Sequence, residues 1–376
     1  MKYLHSILFL IACLMVASCQ HTGKTDSPST EDIAIDFNTA SFDNYKQLDV
    51  VDTTLLVVLS EDVDNDLILG QLDKIVVSDS LIYIADTYMK RLLLYDMRGG
   101  IVGKVGTMGG GPGEYTSLSD FCVGANGEIY IYDSSSNKML EYGRDLKFLN
   151  SYSIPFKAER FQVIDDTFLF GLAPYNEEPA TLGKMVVLTD RSFAPIATAL
   201  EYRDCVDANY EFFAPMSFGK EGILYNRVID NNAYLFNNEG AVDKIFHFDF
   251  GQFNVSENDL KNINALLESD KDYCYVATSP IIVGHLLMGV LNKSGEMFTF
   301  VYNTQSKQVS LNALADLSIG KINLPIATGA HENQLISYFN KDIYPDFNRS
   351  DKLSPSQKEK IEQGSFVLCM SAIVEK

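Results

Sequence analysis

The chain contains no tryptophan, and only five histidines and six cysteines among its 376 residues. The cysteines never stand at CxxC spacing and no HExxH run occurs, which speaks against a cysteine-built zinc cluster and a zincin-type protease. A GxSxG elbow is also missing, so the serine nucleophile of an α/β-hydrolase has no seat. Positive charge is scarce. Lys plus Arg number 30 against 50 Asp plus Glu, and the net charge of -20 opposes binding to nucleic-acid phosphates or anionic lipid surfaces. The apolar run from Ile7 to Val16 falls well short of the ~20 residues that a bilayer-spanning helix needs.

What is present begins with that run. Lys2 precedes it and Ala17, Ser18 and Cys19 follow, the layout of an export signal that is removed before folding. Val16-Ala17-Ser18-Cys19 resembles the lipobox of bacterial lipoproteins, which implies cleavage before Cys19 and lipidation of its thiol and new amino group. Residues 1–18 are thus read as a lipoprotein signal peptide, and residues 19–47 as the lipidated Cys19 with a flexible, polar tether. Some lipoproteins are sent to the cell surface by an acidic run after the lipidated Cys. Here Gln20 to Lys24 follow, so the expected place is the bacterial cell envelope, lipid-anchored in the outer membrane and facing the periplasm.

Residues 48–376 carry an internal repeat. IYIADTYMKR from Ile82 recurs as IYIYDSSSNK from Ile129, and aligning Asp86 with Asp133 at an offset of 47 also matches Asp73 with Asp120, Tyr83 with Tyr130, Arg91 with Lys138 and Tyr95 with Tyr142. Each copy reads as four short strands broken by turns: LDKIVVS, LIYIAD, RLLLYD and IVGKVG, then SDFCVG, EIYIYD, KMLEYG and KFLNSYSI. Such a unit cannot bury its own apolar face and must stack on copies of itself. Weaker copies start near Phe161, Pro215, Ala277 and Pro325.

Spacing of 47 alone would allow seven copies, but two insertions absorb the excess. Ser256 to Ser269 places Leu260, Ile263, Leu266 and Leu267 on one helical face behind a capping Ser, and Ser354 to Gly364 has Ser as N-cap, Pro355 at the first helical position and Gly364 past the end. The expected fold is all-β: a six-bladed beta-propeller of four-stranded antiparallel blades with two short helical insertions. Thr53 to Leu59 and Phe366 to Ile373 are expected to pair within the last blade and close the ring.

The stretch from Ile68 to Tyr115, with the loop Gly110-Gly111-Pro112-Gly113-Glu114-Tyr115, and the two IY-x-x-D strand ends at Ile82–Asp86 and Ile129–Asp133 resemble the bacterial six-bladed beta-propeller lipoproteins, a group similar to NHL-repeat propellers. The resemblance implies the propeller fold and a lipid-bound form. NHL-type propellers often serve as binding platforms, while some relatives are lyases or hydrolases.

GGGPGEY is no phosphate cradle, because no Lys-Ser or Lys-Thr follows it and Pro112 removes a backbone donor. Gly111, Gly113 and Glu114 are read as turn anchors, as are Asp86 and Asp133, whose carboxylates can accept amides of the turns they open. The functional expectation is that turns of successive blades gather on one face and present Tyr88, Arg91, Tyr115 and Lys138 to a partner. His247, His285 and His331 fall at non-equivalent positions, His247 in the alternating strand KIFHFDF and the other two near first-to-second strand turns; His285 and His331 are weak metal candidates, and no metal or other cofactor is expected. Cys122 and Cys369 lie in apolar strands and read as buried thiols. The leading reading is a non-enzymatic, membrane-anchored platform for an envelope protein or small ligand; the alternative is a propeller lyase or hydrolase acting on glycans or peptides, with catalytic residues unassigned.

Overall fold

The computed structural model describes residues 30–37, 51–63, 67–202, 216–227, 230–313 and 328–373. The expected signal peptide of residues 1–18, Cys19 and the expected blade starts near Pro215 and Pro325 lie outside the described residues. Among those described, the strands form six sheets, each a blade, and a two-residue parallel pair between Thr107–Met108 and Glu114–Tyr115. Blade 1 holds Lys74–Ser78, Leu81–Asp86, Arg91–Asp96 and Ile101–Lys104; blade 2 holds Asp120–Val123, Ile129–Asp133, Lys138–Tyr142 and Phe148–Ser153. Both match the expected strands. Blade 3 spans Ala158–Ile164 to Pro195–Glu201 and blade 4 Met216–Gly219 to Val242–Asp249. Blade 5 runs from Cys274–Val276 to Val309–Ala313, its inner strand interrupted before Ile281–Val283, where Pro280 has no amide to give the ladder.

The apolar content of IYIAD has a geometric reason. Successive side chains of a strand point to opposite faces, and a blade is covered on both. Ile82 and Ile84 pack with Ile336, Leu368 and Met370 of blade 6, whereas Tyr83 and Ala85 pack with Phe121, Ile129 and Ile131 of blade 2. With no tryptophan in the chain, the contact between blades 2 and 3 is filled largely by phenylalanines: Phe161 stacks on Phe170 with centroids 5.5 Å apart, and Phe168 lies 4.8 Å from Phe193.

Ring closure follows the expectation. Strand β2 (Val51–Val58) pairs antiparallel with Val367–Ile373, so blade 6 takes its outer strand from before blade 1 and its other strands from the end of the chain. Strand β1 (Glu31–Asp36) departs from it. These residues fall in the stretch read as flexible tether, yet they add in parallel to the outer strand of blade 4, with Ile33, Ile35 and Phe37 buried. Period-two alternation of apolar residues gives this segment one buriable face, and blade 4 supplies the open edge.

The insertion after blade 4 is two helical turns rather than one helix. Helix α1 (Glu257–Leu260) carries a Ser256 capping box, and α2 (Ile263–Leu267) restarts after Asn262, whose side chain accepts from the Ala265 amide. Asn262 competes for backbone groups and is a better cap than helix interior. Helix α3 (Pro355–Glu362) has the expected Ser354 cap, Pro355 at its first position and Gly364 beyond its end at φ +115°.

Candidate functional site

Strand alternation sorts the loops by face. First-to-second and third-to-fourth strand turns lie on one face; second-to-third turns and blade-to-blade crossings lie on the other. Asp86 and Asp133 stand on the second of these, and both carboxylates are buried. Asp86 Oδ1 accepts the Met89 amide of its own turn at 2.7 Å, while Oδ2 accepts Gly70 N at 2.7 Å and Gln71 N at 3.1 Å. Asp133 Oδ2 accepts Thr116 N at 2.8 Å, and Oδ1 accepts Ser117 Oγ at 2.6 Å and Ser136 N at 3.2 Å. Each aspartate therefore ties its turn to the crossing that enters its blade. Burial alone would raise the Asp133 carboxyl, but the donors from Ser117, Thr116 and Ser136 outweigh it and hold the group at about 2.

The glycine loop closes on itself. Glu114 Oε2 accepts Gly111 N at 2.8 Å, and Tyr142 OH donates to Gly113 O at 3.0 Å. Gly113 sits at φ +73°, and a Cβ there would lie 2.7 Å from Phe148 Cβ, so both backbone and space require glycine.

Of the four residues expected to face a partner, two are exposed on this face. Tyr88 is 79% exposed and Lys138 is also exposed. Tyr115 is a core residue instead: it is 1% exposed, packs between blades 1 and 2, and its hydroxyl donates to Lys90 O at 3.1 Å. Arg91 is buried as well, with Nη1 donating to Ile68 O at 2.9 Å. Each polar end is satisfied by a backbone carbonyl: Tyr115, on the crossing between blades 1 and 2, by the second-to-third turn of blade 1, and Arg91 by the segment that enters blade 1.

The histidines do not converge. His247 Nδ1 lies 2.7 Å from Asn232 Oδ1, and Nε2 2.9 Å from Asp32 Oδ1 on β1. His285 and His331 sit at first-to-second turns of blades 5 and 6, on the face opposite Asp86. Among the described residues no three of His, Cys, Asp and Glu gather to hold a metal ion. Cys122, Cys274 and Cys369 are buried and free, and burial pushes the thiols of Cys274 and Cys369 up to about 12.

A cluster that the repeat did not flag occupies the channel mouth on the Asp86 face. Glu159 and Arg160 open the inner strand of blade 3, Tyr202 follows its outer strand, and Asn226 and Arg227 follow the second strand of blade 4. The Arg227 guanidinium lies 4.4 Å from the Tyr202 ring centroid. Arg160 Nη1 donates to Ser119 O at 2.7 Å, and Lys74 Nζ is held by Asp120 at 2.9 Å and Phe121 O at 2.7 Å. Glu159 Oε2 is buried without a hydrogen bond from the described residues. Burial raises its carboxyl, Arg227 and Arg160 offset this only in part, and the group is left at about 7. The one sequence signal was the charged pair Glu159-Arg160 opening an otherwise apolar strand.

Residues 33–367 match the model of a family described as Domain of unknown function (DUF4934). The chain belongs to that family. Among solved structures, an exported protein of Bacteroides fragilis is 16% identical, with 92% of this chain and 100% of that one covered and a TM-score of 0.69. A member of the DUF4221 family from Bacteroides vulgatus is 10% identical over 88% of this chain and 100% of that one, at a TM-score of 0.56. These likenesses bear on the fold of the DUF4934 chain and not on its activity. A virginiamycin B lyase from Staphylococcus aureus is 9% identical over 86% of this chain and 99% of that one, and its TM-score of 0.41 is too low to bear on either. No curated protein matches the chain.

Proposed function

We propose that the DUF4934 propeller is an exported, lipid-anchored binding platform, held to the envelope membrane through Cys19, whose channel mouth and neighbouring turns seat an envelope protein segment or a small ligand. The observation that carries this reading is Glu159: a carboxyl whose buried Oε2 has no hydrogen bond from the described residues, raised by burial to about 7 against the opposing charges of Arg227 and Arg160. Perturbed ionisable groups of this kind mark functional sites more often than passive surface. Tyr175, 71% exposed in the second-to-third turn of blade 3, and Tyr88 and Lys138 extend the same face. Binding is favoured over turnover because the three described thiols are buried and protonated, and no described histidine stands at this mouth.

The test is capture of the lipidated protein from its native membrane with identification of what copurifies. Tyr175→Ala, Tyr88→Ala and Lys138→Ala together should reduce recovery of a specific partner at least tenfold with an unchanged melt; undiminished recovery would overturn the reading. The same Glu159 is what a lyase or hydrolase would use as general base. Glu159→Gln separates the two, because a platform keeps its ligand in the neutral isostere whereas an enzyme loses turnover on a glycan or peptide substrate.

A further inference from the structure

Strand β1 fixes where the chain leaves the propeller. It runs parallel to the outer strand of blade 4, with Glu31 opposite Lys244 and Asp36 opposite Asp249. That outer strand starts just after a third-to-fourth turn, in which Gly240 N donates to Asn237 O at 3.0 Å. Glu31 therefore stands on the face opposite Asp86 and Glu159. A strand paired antiparallel to blade 4 would have sent the chain out on the mouth side instead. The attachment is firm: Ile33, Ile35 and Phe37 are buried, and the Phe37 ring centroid lies 4.9 Å from that of Phe250 and 5.6 Å from that of Phe300. At the exit, Lys244 Nζ lies 3.3 Å from Glu31 Oε2 and His247 Nε2 lies 2.9 Å from Asp32 Oδ1.

Eleven residues, Gln20 to Thr30, separate Cys19 from β1. Fully extended they span at most ~40 Å, and as a flexible coil about 17–20 Å end to end. Turning the mouth onto a bilayer would lift Glu31 by the height of a blade, ~25 Å from the length of its outer strand, and would stretch the tether well past its coil length. From this geometry we infer that the propeller stands on its membrane with the face of first-to-second and third-to-fourth turns toward the lipid. The Glu159 mouth then opens away from the bilayer, and what it seats arrives from the aqueous compartment. This orientation rests on the lipid anchor at Cys19 proposed above. Glu31, Asp32 and Glu239 are exposed at the membrane-facing rim of blade 4, so attraction to anionic lipid does not set the orientation; the exit of the chain does.

The full-length lipidated protein is reconstituted on phosphatidylethanolamine–phosphatidylglycerol vesicles with a fluorophore on one introduced cysteine. Cys205 is replaced by Ser, and the three described thiols are buried. Glu239→Cys and Gln252→Cys place the probe at exposed positions beyond the two ends of the same outer strand, so they differ in face and not in blade. Acceptor dyes on the lipid headgroups should quench the Glu239→Cys probe about threefold more than the Gln252→Cys probe, given the strand height between them. Equal quenching, or stronger quenching of the Gln252→Cys probe, would overturn the orientation. Inserting about twenty Gly and Ser residues after Gly23 should bring the two values together, and an unchanged ratio would overturn the short tether as its cause. The mass of the mature N-terminus separates the two failures: a chain without lipid on Cys19 refutes the anchor and this inference with it, whereas a lipidated chain with the wrong ratio refutes the orientation and leaves the platform standing.

Discussion

Two carboxylates on one face show how environment divides a residue type between holding and poising. Asp133 is ringed by amides and hydroxyls, and Glu159 has buried neighbours but too few donors. Asp133 has a depressed folded value, so the stability it contributes is present above the ordinary range near 3.8 and is lost as pH falls toward about 2. Asp133→Asn should lower stability by about 2–3 kcal/mol through its weakened charge-assisted bonds, read from denaturant melts at pH 7. Glu159 behaves with the opposite sign. Its folded value of about 7 exceeds the ordinary 4.5, so the fold holds a proton that the unfolded chain releases, and stability falls as pH rises from about 4.5 through 7. Glu159→Gln should remove that slope, a difference of up to about 3 kcal/mol between pH 4.5 and pH 8 in parallel melts. Asp86 and Asp133 were legible because they repeat at a fixed offset. Glu159 has no repeat mate, and its raised value comes from burial in the assembled ring, offset only in part by Arg227, far along the chain, and by Arg160.

At the scale of elements, local signals carried most of the reading. Turn residues set the four strands of blades 1 and 2, and Ser354, Pro355 and Gly364 bounded α3. Ser354 Oγ accepts the Gln357 amide at 3.3 Å, and Ser354→Ala should cost about 1 kcal/mol in a thermal melt without altering the rest of the fold. The first insertion was legible as helical but not as two turns, since the face of Leu260, Ile263 and Leu266 stays apolar whether or not Asn262 breaks it. Strand β1 was the larger miss. Ile33, Ile35 and Phe37 alternate as a strand should, yet their partner, Lys244–Asp249, lies more than 200 residues away. Ile35 is fully buried, so Ile35→Ala should destabilise the propeller by about 2–4 kcal/mol in denaturant unfolding, where a true tether position would show no change.

Across the whole molecule, stability depends on the ring being closed, because each blade buries its two faces on its neighbours and an opened ring exposes a pair of them. Removing residues 51–58 should replace one cooperative unfolding transition by a broad or multistep melt in calorimetry; a single sharp transition at the original temperature would argue that blade 6 stands without β2. By itself the sequence determined the repeat, the short antiparallel strands, the caps and the closure of chain ends, since these follow from turn sterics and side-chain alternation acting over a few residues. Only the tertiary structure decided that Tyr115 and Arg91 turn inward, that residues 31–36 join blade 4, and that Glu159 is buried near Arg160 and Arg227. Each of those outcomes depends on which distant backbone covers a side chain and which donors it brings, and burial of that kind is a property of the assembled ring rather than of any stretch of chain.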